Sequence, residues 1–73
     1  MNEGTSEHKE QIRFLFARKD EVLENRDNPI KLKIIRNALN DLASLGMLDM
    51  NHPEIRGMYL RLRRYIEERV GDV

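Results

Sequence analysis

The hydrophobic positions of the chain are densest between Asn28 and Met47, where they recur with a helical period. At 100° per residue the apolar side chains of this stretch fall on one side and cover about half of the circumference. These side chains are Leu32, Ile34, Ile35, Ala38, Leu39, Leu42, Ala43 and Leu45. A surface helix usually has a stripe only a little wider than 100°. The width therefore predicts a central helix that packs against two neighbours.

Both ends of this helix are also indicated by the sequence. Asn28 can cap its free N–H groups, and Pro29 suits the first helical position, where no N–H partner is needed. Gly46 suits the left-handed position just past the last turn, so that Met47 can fold back on Leu42 in a Schellman motif. The sequence predicts a helix that begins after Asn28 and ends just before Gly46.

A second helix is predicted before the central one. Residues 1–5 carry no apolar anchor and are expected to form a mobile tail. Ser6 or Thr5 can cap a helix that ends near Arg26, before the break that the following proline imposes. Its narrow apolar stripe consists of Ile12, Leu15, Phe16, Val22 and Leu23.

A third helix is predicted after Pro53. Asp49, Asn51 or His52 can cap its start, and Gly71 is a natural stop. Its apolar side chains follow the i, i+3, i+4, i+7 spacing of a core-facing stripe. They are Ile55, Met58, Tyr59, Leu62, Tyr65, Ile66 and Val70.

No stretch alternates as a strand does, so the fold class predicted is all-α, a compact antiparallel three-helix bundle. We expect a flexible tail at residues 1–5, a single helical domain at 6–70 and a C-terminal tail at 71–73. Met47, Leu48 and Met50 are expected to tuck under the bundle, and an added helical turn at 47–50 is compatible with the pattern.

Composition narrows the function classes. The chain has 73 residues, no cysteine and a formal net charge of zero. It therefore offers no disulfide framework or thiolate metal site, and it lacks the basic excess of typical nucleic-acid binders. The polar, acidic start is unlike a signal peptide, and no apolar run approaches the length of a membrane span. We expect a cytoplasmic protein that does not enter a membrane.

Catalytic chemistry finds little support in the sequence. The two histidines, His8 and His52, each stand alone in the pattern, and His52 is most simply a cap or turn residue. A hydrolytic triad or a zinc site needs several convergent groups. No glycine-rich phosphate loop is present. We therefore expect a protein that is not an enzyme and has no cofactor, no metal and no catalytic residue.

Two apolar residues interrupt the helical pattern and are candidates for partner binding. Phe14 falls opposite the stripe of the first helix, and Leu60 falls among Arg56, Arg63 and Arg64 on the third. An apolar residue ringed by arginines has the composition of an interface core with its polar rim. The simpler alternative is that Phe14 is partly buried against the third helix, or that Leu60 is covered by a homodimer partner. A monomer or a weak homodimer is expected.

The arginines of the third helix also allow a nucleic-acid-binding alternative, in which they contact phosphates and Tyr65 stacks on a base. Tyr65, however, belongs to the apolar stripe, and Glu67 and Glu68 lie within pairing distance of Arg63 and Arg64. We do not expect direct nucleic-acid binding, but it remains the alternative.

The stretch KLKIIRNALNDLASLGMLDMNHPEIRGMYLRLRRYIEERV resembles the small transcription regulators of lytic Xanthomonas phages. The resemblance extends over the whole chain and rests on length and helical character, without a diagnostic motif. It implies a protein that binds bacterial RNA polymerase near the start of the β′ subunit. It further implies inhibition of initiation, by opposing the promoter-specificity factor, and elongation through terminators. The resemblance carries over no contact residue.

Overall fold

The computed structural model describes the backbone of residues 3–71 and the side chains of residues 7–71. It contains three helices, α1 (Glu3–Glu24), α2 (Pro29–Ser44) and α3 (Pro53–Val70), and no strand within the described range. The helices pack into one bundle around a shared apolar core. The predicted all-α three-helix bundle is confirmed.

The helix against which the other two pack is α3, and the prediction that α2 is central is wrong. α3 packs extensively on both α1 and α2, whereas α1 and α2 share only a short contact. On α2 a single line of residues is buried, formed by Leu32, Ile35 and Leu39, while Ile34 and Leu45 are 58% and 73% exposed. A half-apolar helix needs a neighbour on each side to be covered, and here α3 covers only one side of α2.

The core lies where the stripes of the three helices meet. Its buried side chains are Leu15, Val22, Leu32, Ile35, Leu39, Leu48, Ile55, Tyr59, Leu62 and Ile66. Leu48, between α2 and α3, is buried as expected, and Met50 packs partly against the core, but Met47 is exposed. Residues 47–50 form no additional helical turn; a backbone hydrogen bond from His52 N to Asp49 O, at 3.0 Å, closes the turn before α3.

The predicted ends of α2 are confirmed by their hydrogen bonds. Asn28 Oδ1 accepts from the N–H of Lys31 at 3.2 Å. Gly46 has φ 78°, and its N–H donates to Ala43 O while the N–H of Met47 donates to Leu42 O at 2.9 Å, the pair of bonds that defines a Schellman motif.

The ends of α1 and α3 agree with the sequence in part. α3 is capped by His52, whose Nδ1 accepts from the N–H of Ile55 at 3.5 Å, and it ends at Gly71 with φ 66°. α1 already begins at Glu3, so Ser6 lies inside the helix and does not cap it. Positions 3–5 of the expected tail are thus helical, whereas positions 1–2 and 72–73 lie outside the described residues.

Candidate binding groove

An apolar groove with a volume of about 460 Å³ lies between α1 and α3. The wall that α1 contributes consists of Leu15, Phe16, Lys19, Val22 and Leu23. The wall that α3 contributes consists of Glu54, Met58, Arg61, Leu62 and Tyr65. Both sets recur at helical spacing, so each wall is one continuous ridge along its helix. The groove therefore results from the packing of α1 against α3.

The groove has a buried floor and exposed apolar upper walls. Leu15, Val22 and Leu62 are buried beneath it as part of the core. Above them Phe16 is 52% exposed and Leu23 is 42% exposed. Because apolar surface gains about 25 cal/mol per Å² on leaving water, this concave surface favours an apolar occupant.

Charged side chains stand along the groove. Lys19 on α1 and Arg61 on α3 both line it, and Glu54 lies in the first turn of α3. The Nζ of Lys19 lies 5.8 Å from the centroid of the Phe16 ring, a cation–π contact. Within the described side chains neither Lys19 nor Arg61 forms an ion pair. The groove thus combines apolar walls with two cations that have no carboxylate partner among the described side chains.

The opposite flank of α3, which faces α2, is closed by a polar network. The hydroxyl of Tyr59 donates to Asn40 Oδ1 at 3.0 Å, and Arg63 Nη1 donates to the same oxygen at 3.2 Å. Glu67 Oε2 then accepts from Arg63 Nη2 at 3.3 Å and lies 3.8 Å from Arg36 Nη1. The contact with the Tyr59 hydroxyl and the Glu67 carboxylate raise the pKa of Arg63 above its ordinary value.

The candidate residues predicted from the sequence do not form one site. Phe14 is partly buried against the core, as in the simpler alternative, and the guanidinium of Arg18 lies 4.7 Å from its ring centroid. Leu60 is 53% exposed and does not line the groove. Arg56 and Arg64 are exposed, whereas Arg63 is held by the network towards α2. That these residues bind a partner stays a prediction.

Sequence reasoning missed the groove because it placed Phe16 and Leu23 in the core. Both belong to the predicted stripe of α1, and the structure leaves both substantially exposed at the edge of that stripe. Lys19 lies between them in sequence and on the same wall. A lysine between two large apolar residues, at i−3 and i+4 on the same side of the helix, is the sequence signal that could have indicated that this face of α1 is exposed.

The prediction that the two histidines have no partners is wrong. His8 Nε2 lies 2.8 Å from Asp49 Oδ2, and the rings of His8 and His52 are 4.3 Å apart. Gln11 Oε1 accepts from the N–H of Asp49 at 2.8 Å. The hydrogen bond with His8 lowers the pKa of the Asp49 carboxyl below its ordinary value. This cluster fastens the first half of α1 to the turn before α3.

The described part of the chain contains neither a candidate metal cluster nor a candidate membrane span. No group of three or more His, Cys, Asp or Glu side chains there is placed to hold a metal ion. None of the three helices, over the residues described, combines the length and apolar character needed to cross a membrane. Comparisons of the sequence with protein-family models and with curated proteins, and of the structure with solved structures, found no match.

Proposed function

We propose that this protein is a non-enzymatic regulator that acts by binding another protein in the groove between α1 and α3. One observation carries the proposal: the groove keeps Phe16 and Leu23 half in water on concave walls, beside Lys19 and Arg61. Aromatic and aliphatic anchors inside a rim of charged side chains are the usual composition of a protein–protein interface.

The candidate partner is bacterial RNA polymerase, and it comes from the resemblance to the phage regulators. In that role the protein occupies a surface near the start of the β′ subunit, inhibits initiation and lets elongation continue through terminators. An apolar groove with two cations supports a protein partner of this kind, because polymerase surfaces carry many carboxylates that can pair with Lys19 and Arg61.

Nucleic-acid binding ranks below this proposal. Arg63 already donates to Asn40 and Glu67 within the bundle, which leaves it less available for a phosphate. Tyr65, the aromatic side chain suggested for stacking, lies in the groove wall with the guanidinium of Arg69 4.9 Å from its ring centroid. A base that stacked on Tyr65 would have to displace Arg69 from that face.

A pair of matched substitutions tests the proposal. Phe16 in the groove and Leu60 outside it are exposed to nearly the same extent, 52% and 53%. Each is replaced by aspartate, and binding to purified bacterial RNA polymerase is measured by biolayer interferometry, with circular dichroism as the check on folding. We expect Phe16→Asp to weaken binding more than tenfold, about 1.4 kcal/mol, and Leu60→Asp to change it less than twofold.

The opposite pattern would place the interface on the outward side of α3, around Leu60 and its arginines. Full binding by both variants would remove both surfaces from consideration. If the unmodified protein does not bind RNA polymerase at all, the candidate partner is wrong, and the groove must be tested with other partners.

A further inference from the structure

We infer that the groove between α1 and α3 receives an amphipathic helix of about three turns that places a carboxylate against Lys19 and Arg61. This inference rests on the proposed protein-binding function and specifies the chemistry of the partner. It does not depend on which protein supplies the helix.

The occupant is a helix because the polar groups of its backbone must be hydrogen-bonded when they are buried in the groove. A peptide lying against the apolar walls must have its N–H and C=O groups paired, since an unpaired buried polar group costs on the order of 1–3 kcal/mol. Apart from Lys19, Arg61, Glu54 and the Tyr65 hydroxyl, the groove residues offer no polar side-chain atoms. A helix satisfies its backbone internally, whereas an extended strand here would not.

The length of the occupant follows from the wall that α3 provides. The groove residues of α3 run from Glu54 to Tyr65, which at 1.5 Å per residue is about 16 Å. Three helical turns at 5.4 Å each cover the same distance. The ridges on both walls favour an occupant whose apolar residues are spaced i, i+3, i+4 and i+7.

The charge of the occupant follows from the two cations. Lys19 and Arg61 stand on facing walls, near the middle of their respective ridges, and form no ion pair within the described side chains. A carboxylate brought beside them is shielded from water by the apolar walls, which strengthens the attraction relative to an exposed pair. A helix with a lysine at that position is disfavoured, because three cations would then be enclosed together.

A second copy of the chain fits this description poorly. Its α2 has a line of exposed apolar side chains that includes Ile30 and Ile34, so α2 is the natural candidate from within the protein. That line is flanked by Lys31 and Lys33, and α2 carries three cations against the single carboxylate of Asp41. Docking α2 would bring like charges to Lys19 and Arg61.

The test uses two synthetic helical peptides, each stapled on its outward face. Both carry leucine at i, i+3, i+4 and i+7, and they differ only in a glutamate or a lysine beside that apolar stripe. Affinity is measured by fluorescence anisotropy. We expect the glutamate peptide to bind the unmodified protein at least tenfold more tightly than the lysine peptide.

Matched charge reversals locate the effect. The double variant Lys19→Glu with Arg61→Glu should reverse the preference in favour of the lysine peptide. The control Arg56→Glu with Arg64→Glu changes the net charge equally but on exposed residues outside the groove, and should keep the preference for glutamate. The double variant Lys19→Gln with Arg61→Gln adds no negative charge and should abolish the preference for the glutamate peptide. It replaces the charge-reversed variant in the test if that variant does not fold.

Any of three binding results would overturn the inference: no binding of either peptide, a preference that survives the Lys19 and Arg61 changes, or equal reversal by the control. Self-association that blocks the groove would also overturn it, and would appear as weaker peptide binding at higher protein concentration. RNA polymerase binding is a separate readout. If the peptides behave as expected but the polymerase does not bind, the helix inference holds and the candidate partner fails.

Discussion

The two flanks of α3 use the same residue types in opposite ways. Towards α2, Tyr59 is buried and Arg63 pairs with Asn40 and Glu67. Towards α1, Tyr65 and Arg61 line an open groove, and Arg61 has no ion pair within the described residues. One tyrosine–arginine pair of α3 thus forms hydrogen bonds within the bundle, and the other pair lines the surface of the groove.

The neighbouring helix makes the difference. α2 presents an amide oxygen on Asn40 and packs close enough for hydrogen bonds to cross the interface. At the groove α1 presents Phe16, Lys19 and Leu23, none of which can accept a hydrogen bond from Arg61. An arginine count therefore says little about function until the acceptors facing each arginine are known.

The largest expected effect comes from undoing the packing of α2 on α3. Leu39 is fully buried in that contact, so Leu39→Ala should lower the free energy of unfolding by about 2–5 kcal/mol. For a domain this small such a loss is most of its stability. Thermal unfolding followed by circular dichroism measures it.

The control for that substitution is Leu60→Ala, on the same kind of side chain in an exposed position of α3. It should change the free energy of unfolding by less than about 0.5 kcal/mol. Equal effects for the two variants would mean that Leu60 is also covered and that α3 is rotated from the orientation described.

A smaller effect distinguishes the two tyrosines. Tyr59→Phe removes the hydroxyl that donates to Asn40, and should cost about 0.5–1.5 kcal/mol of stability. Tyr65→Phe should cost almost nothing, because the Tyr65 hydroxyl has no hydrogen-bond partner in the described part of the chain. Urea denaturation measures the free energy of unfolding of both variants. A larger loss of stability for Tyr65→Phe would contradict the description of α3 as hydrogen-bonded towards α2 and open towards the groove.

The smallest effect depends on pH and concerns the cluster that ties α1 to the turn before α3. The pKa of Asp49 is lowered in the folded protein from an ordinary value of 3.8, so its stabilising effect is present above that value. It is lost as the pH falls through the lower folded pKa. Asp49→Asn should therefore reduce the melting temperature at neutral pH, with the difference from the unmodified protein closing below pH 3.8.

That prediction fails if the difference in melting temperature is the same at neutral and strongly acidic pH. Asn51→Asp is a suitable control, because Asn51 is exposed and its backbone N–H, which donates to Asp49 Oδ1 at 3.1 Å, is kept in the variant. This substitution adds one carboxyl group to the same turn and keeps the contact between His8 and Asp49.

The sequence predicted what local chemistry determines. Asn28, Gly46 and Gly71 act within one helical turn of their own position, and the structure places each where its residue type suggested. Particular contacts between residues distant in sequence were missed, although the bundle as a whole was predicted. His8 and Asp49 are 41 residues apart, and no local pattern relates them.

The environments of Phe14 and Phe16 were mispredicted for the same reason: they depend on how the helices pack together. Phe16 belongs to the predicted α1 stripe and Phe14 falls opposite it, so periodicity alone assigned Phe16 to the core and Phe14 to solvent. The packing of the bundle decides instead that Phe14 is partly covered and Phe16 is left in the groove wall. The groove itself is a property of two helices, which the pattern of one helix does not contain.

Methionine methyl groups offer the most direct measurement of whether the groove is the binding surface. Met58 lines the groove, whereas Met47 is exposed after α2 and lies outside its lining. In methyl-labelled protein titrated with bacterial RNA polymerase, the Met58 signal should shift or broaden at substoichiometric polymerase, beyond any uniform loss of intensity, while Met47 follows only the uniform loss. A selective change at Met47 with Met58 unaffected would contradict the groove as the docking surface.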